Sequence, residues 1–504
     1  MMSYLRSAFI GTNLSVLALI SFTLLLAGCG SSSDGDSGNG YLQFYNGSKN
    51  APAVFLTIDE NLNEDDEDEI EITYSAVEYG VATSAKEVAD QHYYYELAWQ
   101  NEDSNDREDL ALISEGQLSV KKDVIQFIVL SEDIASPQVQ IYEIDVIDDD
   151  IDEDEDLFNL RLLNLASDDA GVDVYMSKSN ETFNEATLIG QFTNGQLSDN
   201  QKLDQDEYVV YITQAGSNEV LFQSGEIDYD YPSQYVLVVR ESAAASTSPY
   251  AVDWVSTSST VEYLDANSAA NVRVYNAINR HDLLPHYQSE FDVHLNGVDD
   301  QAEITSLAMG ALSETLVQPN GDYSVDLVAS GTEERILKNH LLTLPEDANK
   351  TVFFYLKEDD VDHDNDGDVD EDGDGIVDEI EISVNSLVVD NSQRESIYDH
   401  NIAMINLVDS DDFSLVKFYF VRSDETIDSA LYYKSVGYAQ SLSLNLLNNT
   451  YQVFAIAQQN SSDIILSSFE LTLNEESKEL FLVIEGDELS ATGYKITLAE
   501  QNET

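Results

Sequence analysis

Positive charge is scarce in this chain. Of its 504 residues, 22 are lysine or arginine and 97 are aspartate or glutamate, which gives a formal net charge of −75. A surface that binds nucleic acid needs clustered cations to neutralise the phosphates, and electrostatic binding to anionic lipid needs basic segments. The composition therefore excludes nucleic acid as a partner and argues against docking on a membrane by charge.

Cysteine and long apolar runs are scarce as well. Cys29 is the only cysteine, so an intramolecular disulfide and a thiolate metal site are both excluded. An apolar stretch near the start of the chain, Leu14–Leu26, has 13 residues. This length suits the apolar region of a signal peptide and is short for a helix that spans a membrane. Residues 1–28 are therefore predicted to be a signal peptide.

The stretch ends in Leu26-Ala27-Gly28-Cys29, which resembles the lipobox of bacterial lipoproteins. The resemblance implies cleavage before Cys29 and acylation of this residue, and several acyl chains would anchor the protein stably in lipid. Gly30, rather than an aspartate, implies the outer membrane. Residues 29–40 are then a flexible tether. An ordinary signal peptide with an incidental cysteine is the alternative.

Apolar residues are plentiful in the rest of the chain, and they recur in a pattern. Hydrophobic residues make up 43% of the chain and aromatic residues 10%, which is enough for packed cores. A short apolar segment that ends in asparagine occurs four times, with Asn46, Asn164, Asn276 and Asn406 separated by 118, 112 and 130 residues. Such a period indicates tandem repeats.

Other short segments follow each asparagine in the same order. A second segment begins at Val54, Val172, Phe291 and Val416, a third begins with Tyr93, Tyr208, Tyr323 and Tyr451, and a nearly all-apolar fourth covers 125–130, 235–239, 352–356 and 480–484. These segments are rich in valine, isoleucine and tyrosine and are separated by turn residues, which is typical of strands. Only Ala85–Gln91 suggests a helical turn or two.

The sequence therefore predicts an all-β chain of four tandem immunoglobulin-like antiparallel β-sandwich domains, each with about seven strands and one buried face per strand. The expected repeats cover residues 41–155, 156–268, 269–398 and 399–504. The pattern from Leu160 to Tyr175, LRLLNLASDDAGVDVY, resembles a bacterial domain family of unknown function whose members carry V-R-x-x-[HN]-A-S-x-D-A-P-x-V-D-V-Y in tandem extracytoplasmic repeats. The resemblance implies this fold and compartment, and it brings no catalytic residues.

Negative charge is concentrated in three runs, Asp59–Glu71, Asp145–Asp156 and Glu358–Glu381. The first two lack a glycine at the turn position and are expected to be solvated linkers. The third run contains a complete twelve-residue D-x-D-x-D-G-x₅-E calcium loop. Its ligands are Asp370, Asp372, Asp374, the Ile376 carbonyl, Asp378 and Glu381, with Gly375 at the turn.

A second, partial loop overlaps the first at Asp370. It contains Asp362, Asp364, Asp366 and Asp368 but has Gly373 where the closing glutamate would stand. The interleaving resembles thrombospondin type 3 or dockerin calcium repeats. Because the flanking segments read as strands, the loop is predicted to cap a β-hairpin in the third repeat and to bind Ca²⁺ as cofactor. A solvated acidic loop is the alternative.

Motifs for catalysis are missing from the sequence. There is no H-E-x-x-H, G-x-S-x-G or phosphate-binding loop, and the one histidine cluster, His281, His286 and His294, reads better as surface residues beside carboxylates. Tyr93-Tyr94-Tyr95 and Trp99 suggest a glycan platform, although alternation across a strand is the simpler interpretation.

These observations predict a non-enzymatic lipoprotein of the cell envelope, in which four sandwiches form a calcium-stabilised structural or adhesive rod. A module that binds glycan or peptide for a transport or degradation system is the alternative. Surface glycans or proteins are possible partners in either case.

Overall fold

The all-β class and the four tandem sandwiches are confirmed by a computed structural model. It describes residues 38–60, 71–100, 110–147, 156–167, 171–242, 248–298, 301–345, 347–362, 369–370, 377–487 and 489–502. Within these ranges the helical segments are two 3₁₀ turns, Phe183–Glu185 and Ile427–Ser429. No described helix is long and apolar enough to cross a membrane.

The strands fall into four consecutive groups, one for each sandwich. Sandwich 1 has β1 (Asn39–Asn46), β2 (Val54–Asp59), β3 (Glu71–Val77), β4 (Val81–Ala82), β5 (Lys86–Ala89), β6 (His92–Gln100), β7 (Leu110–Ser119), β8 (Val124–Ser131) and β9 (Gln138–Asp145). Sandwich 2 has β10 (Leu157–Asn164), β11 (Val172–Lys178), β12 (Thr187–Phe192), β13 (Gln196–Leu197), β14 (Gln201–Asp204), β15 (Glu207–Gln214), β16 (Val220–Gln223), β17 (Ile227–Asp228), β18 (Gln234–Glu241), β19 (Tyr250–Val255) and β20 (Thr260–Tyr263).

The second half of the chain repeats the arrangement with fewer interruptions. Sandwich 3 has β21 (Ala270–Ala277), β22 (Glu290–Leu295), β23 (Ile304–Ala308), β24 (Leu316–Gln318), β25 (Gly321–Ala329), β26 (Arg335–Leu344), β27 (Asn349–Asp360) and β28 (Ile380–Asp390). Sandwich 4 has β29 (Asp399–Asn406), β30 (Leu415–Val421), β31 (Tyr432–Gly437), β32 (Gln440–Leu447), β33 (Thr450–Gln459), β34 (Ser462–Thr472), β35 (Leu480–Gly486) and β36 (Tyr494–Glu500).

All four sandwiches share a topology of eight strand positions in two sheets, to which sandwich 2 adds β20 beside β19 and β17 beside β15. One sheet, here called the inner sheet, has the order fourth-first-seventh-eighth, as in β32-β29-β35-β36. The other, the outer sheet, has the order third-second-fifth-sixth, as in β31-β30-β33-β34. In sandwiches 1 and 2 the fourth position is divided into two short strands, β4 and β5 or β13 and β14.

Three details differ from the sequence prediction. Each sandwich has at least eight strand positions rather than about seven, and the first strand pairs in parallel with the seventh, for example β1 with β8. The predicted helical turn at Ala85–Gln91 is wrong. Lys86–Ala89 forms β5, in which alternation places Val88 in the core and the strand pairs with β1.

Each sandwich encloses its own apolar core between its two sheets. The first and seventh strands of the inner sheets, however, are largely buried on both faces, and every residue of β8 and of β21 is buried. Such strands read as continuous apolar runs because neither side faces water. The expectation of one buried face per strand is therefore wrong for the inner sheets.

The second buried face of each inner sheet packs against the inner sheet of a neighbouring sandwich. Sandwiches 1 and 2 share a cluster formed by Tyr45, Ala82, Ile125, Phe127, Val129, Ile144, Leu163, Val236, Val238 and Val255. Sandwiches 3 and 4 share the corresponding cluster of Tyr275, Ala277, Phe353, Tyr355, Val389, Ala403, Ile405, Leu407, Phe481 and Val483. The chain thus contains two double sandwiches.

The recurring asparagine has the same structural role in all four sandwiches. Its side-chain NH₂ donates to a carbonyl of the third strand, which belongs to the opposite sheet, over 2.8 to 3.2 Å. Its side-chain oxygen accepts from the backbone N–H two residues ahead, over 2.9 to 3.1 Å. With at most 1% exposure, each asparagine joins the two sheets and closes the turn that follows the first strand.

The recurring tyrosine also has one role throughout. Tyr93, Tyr208, Tyr323 and Tyr451 start the fifth strand, and each hydroxyl donates to the backbone carbonyl four residues earlier over 2.6 to 3.2 Å. This bond resembles the tyrosine corner of other β-sandwiches. It fixes the crossing from the inner sheet to the outer sheet.

Replacing Asn406 by alanine is expected to destabilise the protein by about 2–4 kcal/mol, because the Val436 carbonyl and the Val408 N–H would stay buried without partners. Urea unfolding of the full chain measures this loss. The matched control is Asn445→Ala on an exposed strand position, which should change stability by less than about 0.5 kcal/mol. Equal effects of the two variants would contradict the structural role.

Candidate metal-binding hairpin and sandwich interfaces

The third acidic run lies at the end of a long hairpin in sandwich 3. Strands β27 and β28 pair from Lys350 with Asp390 to Asp360 with Ile380. Beyond the last strand pair, the Val361 N–H donates to the Glu379 carbonyl over 3.0 Å and the Asp378 N–H donates to the Val369 carbonyl over 3.1 Å. The predicted hairpin is confirmed, and it brings both ends of the candidate calcium segment together.

The predicted calcium ligands are only partly within the described residues. Asp362, Asp370, Asp378 and Glu381 are described, whereas Asp364, Asp366, Asp368, Asp372, Asp374 and Ile376 lie outside. In the described part of the chain, no three histidine, cysteine or acidic side chains are grouped so that they could hold a metal ion. All of the predicted ligands are oxygen atoms, as Ca²⁺ prefers. Because six of the ten predicted ligands lie outside the described residues, calcium binding stays a prediction.

The other acidic runs connect strands. Asp59–Glu71 joins β2 to β3, whose ends pair at Asp59 and Glu71, so this run is a hairpin connection inside sandwich 1 rather than a linker between domains. Asp145–Asp156 begins at the last residue of β9 and ends just before β10. Residues 61–70 and 148–155 lie outside the described part.

The base of the acidic hairpin reaches the edge of the interface between sandwiches 3 and 4. Tyr438 of sandwich 4 donates to the Leu356 carbonyl over 3.4 Å, and its ring lies 5.7 Å from that of Tyr355 at 80°. The Glu358 N–H donates to Asp409 over 3.4 Å. Burial raises the pKa of Tyr438, as do the carboxylate of Asp409 and the neighbouring Tyr355. A conformational change at the base of the hairpin would therefore alter these contacts between sandwiches 3 and 4.

The interface between sandwiches 1 and 2 contains a buried ion pair. The Tyr45 hydroxyl donates to Asp253 across the interface over 2.6 Å. Arg240 donates to both oxygens of the same carboxylate, over 2.7 and 3.1 Å. The guanidinium also lies 4.5 Å from the centre of the Tyr79 ring. Because Arg240 and Asp253 are 2% and 0% exposed, the pairing offsets the cost of burying both charges.

The interface between sandwiches 3 and 4 places a tyrosine and a carboxylate at a similar point. The Tyr275 hydroxyl donates to Glu485 over 2.9 Å, and Thr497 donates to the same oxygen over 2.8 Å. Lys495 is 3.5 Å away. The other carboxylate oxygen of Glu485 is buried without a hydrogen-bond partner, and burial raises the pKa of this side chain.

A polar cleft lies beside the segment that connects sandwiches 3 and 4. Its volume is about 520 Å³, and its lining includes Asn50 of sandwich 1, Arg394 and Glu479. Arg394 donates to both oxygens of Asp399 over 2.8 Å. Burial raises the pKa of Glu479 to about 7, against the opposing effect of Arg394. No pattern in the sequence indicated this cleft, because its lining comes from distant loops.

The histidines and aromatic residues that the sequence suggested as binding candidates contact neighbouring side chains of the protein. His281 lies 3.5 Å from Glu358, whereas His286 lies 3.6 Å from Glu334, so the two face different carboxylates. Among the tyrosines, Tyr93 and Tyr95 belong to the core of sandwich 1. Trp99 stacks on Tyr398 with ring centres 4.6 Å apart and planes at 6°, so that ring face is covered by the chain itself.

No family model matches this chain, and no curated protein matches it. Among solved structures it is similar to the Bacillus anthracis TIE protein, with 10% identity, a TM-score of 0.14, and coverage of 90% of this chain and 76% of that one. It is also similar to BcpA, the major pilin subunit of Bacillus cereus, with 9% identity, a TM-score of 0.14, and coverage of 89% and 99%. The pilus adhesin SpaC from Lactobacillus rhamnosus GG matches with 9% identity, a TM-score of 0.11, and coverage of 92% and 43%. At these scores none assigns a function.

Calcium is expected to raise the melting temperature of the full chain relative to EGTA. If the site binds at roughly 10⁻⁴–10⁻³ M, calcium at about 10 mM adds about 1.5–2.7 kcal/mol to the stability of the state that binds it. Differential scanning calorimetry measures the shift.

Asp370→Ala combined with Glu381→Ala should abolish the shift, whereas Glu314→Ala, at an exposed acidic residue of the same sandwich, should leave it intact. A parent protein that melts at the same temperature in calcium and in EGTA would contradict the calcium loop.

Proposed function

We propose that this chain is a non-enzymatic lipoprotein of the bacterial cell envelope, which acts as a calcium-stabilised structural or adhesive rod at the outer membrane. The observation that carries the proposal is the pairing of the inner sheets into two double sandwiches. An interface that is packed like a core resists the relative motion that separate domains ordinarily show. Such units suit a spacer that bears load.

The connections between sandwiches support the same role. In the connection between sandwiches 2 and 3, Asp265 accepts from the Gln223 N–H over 3.0 Å and the Ala266 N–H donates back to Gln223 over 2.8 Å. In the connection between sandwiches 3 and 4, Glu395 lies 2.9 Å from Lys49 of sandwich 1. Both connecting segments are thus bonded to a sandwich rather than free.

The charge of the protein fits an envelope location. A net charge of −75 keeps the surface solvated and opposes association between copies, while salt screens the repulsion over about 10 Å or less. Calcium in the segment from Asp362 to Glu381 would cancel part of the charge of sandwich 3 and stiffen its longest hairpin. In this proposal calcium is a structural cofactor.

Attachment to lipid is the second element of the proposal. Cys29 lies outside the described residues, and the lipobox-like sequence before it is what supports acylation. The first strand begins at Asn39, so a tether of about ten residues would separate the acylated Cys29 from sandwich 1. The proposed partner is therefore outer-membrane lipid, with a surface glycan or protein at the far end.

A second candidate function is favoured by the cleft beside Arg394. Binding sites for small ligands often lie between domains and have volumes of about 300–1,000 Å³, and this cleft of about 520 Å³ is lined by asparagine, serine and charged side chains. A module that binds glycan or peptide for an envelope transport or degradation system would use such a cleft. Narrow ligand specificity that is lost on changing Arg394 would favour this role.

The test compares attachment to several matrices by cells of the source bacterium with and without the gene. Deletion is expected to reduce attachment, and the wild-type chain should restore it. The matched variant Cys29→Ser should leave the protein unanchored and fail to restore it, and membrane fractionation verifies the change of location. Unchanged attachment after deletion, or full restoration by the unanchored variant, would contradict the proposal.

A further inference from the structure

The residue just before each recurring asparagine alternates along the chain. Sandwiches 1 and 3 have tyrosine at this position, Tyr45 and Tyr275, whereas sandwiches 2 and 4 have aliphatic residues, Leu163 and Ile405. Because side chains alternate across a strand, all four face the neighbouring sandwich and not the core of their own. All are 0% exposed and belong to the shared clusters.

In each double sandwich, the tyrosine hydroxyl donates across the interface to a buried carboxylate. Tyr45 reaches Asp253 over 2.6 Å, and Tyr275 reaches Glu485 over 2.9 Å. Both carboxylates are at most 1% exposed. A buried hydroxyl and a buried carboxylate each require a partner, and here each supplies one to the other.

The two carboxylates do not occupy equivalent positions, although the tyrosines do. In the seventh strand, Val239 of sandwich 2 pairs with Asn164, and Ile484 of sandwich 4 pairs with Asn406. The next residue along that strand, Arg240 in sandwich 2 and Glu485 in sandwich 4, therefore occupies the same position in both sandwiches. The eighth strand places Asp253 opposite Val238 and Thr497 opposite Val483.

Sandwich 2 thus presents its carboxylate from the eighth strand, and sandwich 4 presents it from the seventh. A simple duplication of a two-sandwich unit would have kept the carboxylate on one strand. The same bond is instead made twice with different chemistry around it: Arg240 accompanies Asp253, while Thr497 and Lys495 accompany Glu485. This recurrence from non-equivalent residues indicates that the contact itself is required.

We infer that this tyrosine–carboxylate bond selects a tyrosine-bearing inner sheet as the partner of a carboxylate-bearing one, and that the unit of assembly in the chain is the double sandwich. An inner sheet that carries the tyrosine fits an inner sheet of a different kind. That partner has an aliphatic residue in its first strand and a buried carboxylate in its seventh or eighth strand. Two tyrosine-bearing sheets together would bury two hydroxyls without these acceptors. Two carboxylate-bearing sheets would deprive each carboxylate of its hydroxyl donor, although Arg240 would still pair with Asp253, and Thr497 and Lys495 with Glu485. Buried groups that lose a partner therefore disfavour both pairings, the tyrosine–tyrosine pairing most.

The test is hydrogen exchange of the full chain carrying Tyr275→Phe, followed by mass spectrometry. Amides of the inner strands β27 and β35 should exchange about tenfold faster or more, because the variant weakens the contact that covers both. The outer strands β25 and β33 of the same sandwiches should keep their wild-type rates. Faster exchange in both sheets of sandwich 3 alone would mean ordinary destabilisation and would overturn the inference, as would unchanged rates in β27 and β35.

Two further variants separate the bond from other effects. Tyr323→Phe removes a hydroxyl whose bond, to the Pro319 carbonyl over 2.6 Å, stays within sandwich 3, so it should leave β35 at its wild-type rate. Glu485→Gln keeps an acceptor for Tyr275 and removes the charge, so exchange in β27 and β35 should stay within about threefold of wild type. If Glu485→Gln accelerates these strands as much as Tyr275→Phe does, the charge rather than the tyrosine bond holds the pair, and the inference fails.

Discussion

The burial of both faces of the inner sheets is the constraint on which the rest of this structure depends. A β-sandwich ordinarily exposes one face of each sheet, but here the seventh strands are buried on both faces over much of their length, and Val124–Ser131 is buried at every residue. A strand of this kind cannot face water, so each sandwich needs a neighbour. This requirement creates the two double sandwiches, leaves the outer faces, sheet edges and connecting loops for partners, and brings the acidic hairpin to the edge of an interface.

Much of the fold could be predicted because its main signals are local. The asparagines at the end of the first strand and the tyrosines at the start of the fifth are single residues with fixed hydrogen-bonding roles, and their spacing revealed four repeats. The third, fourth and sixth strands were not predicted, since many of their residues are exposed and polar, as in Leu110–Ser119. Parallel pairing of the first and seventh strands joins segments about 80 residues apart, which no local pattern reports.

The functional features likewise differ in whether a local sequence pattern reports them. The calcium-loop motif and the strands that flank it are local patterns, so the sequence predicted the hairpin, which the structure contains, together with calcium binding, which stays a prediction. Asp253, Glu485 and the cleft beside Arg394 were missed, because each acquires its meaning only from residues of another sandwich or another loop. One signal was available: the nearly all-apolar seventh segments already indicated burial on both faces, and with it a partner for every inner sheet.

Calorimetry of the full chain tests the central claim, that the cooperative unit is a double sandwich, most directly. For a single two-state unit the calorimetric enthalpy of unfolding equals the van 't Hoff enthalpy, so their ratio counts the units that melt independently. The paired inner sheets predict a ratio of about two for this chain. A ratio of about four, with four independent transitions, would show that the sandwiches unfold separately and would contradict the account.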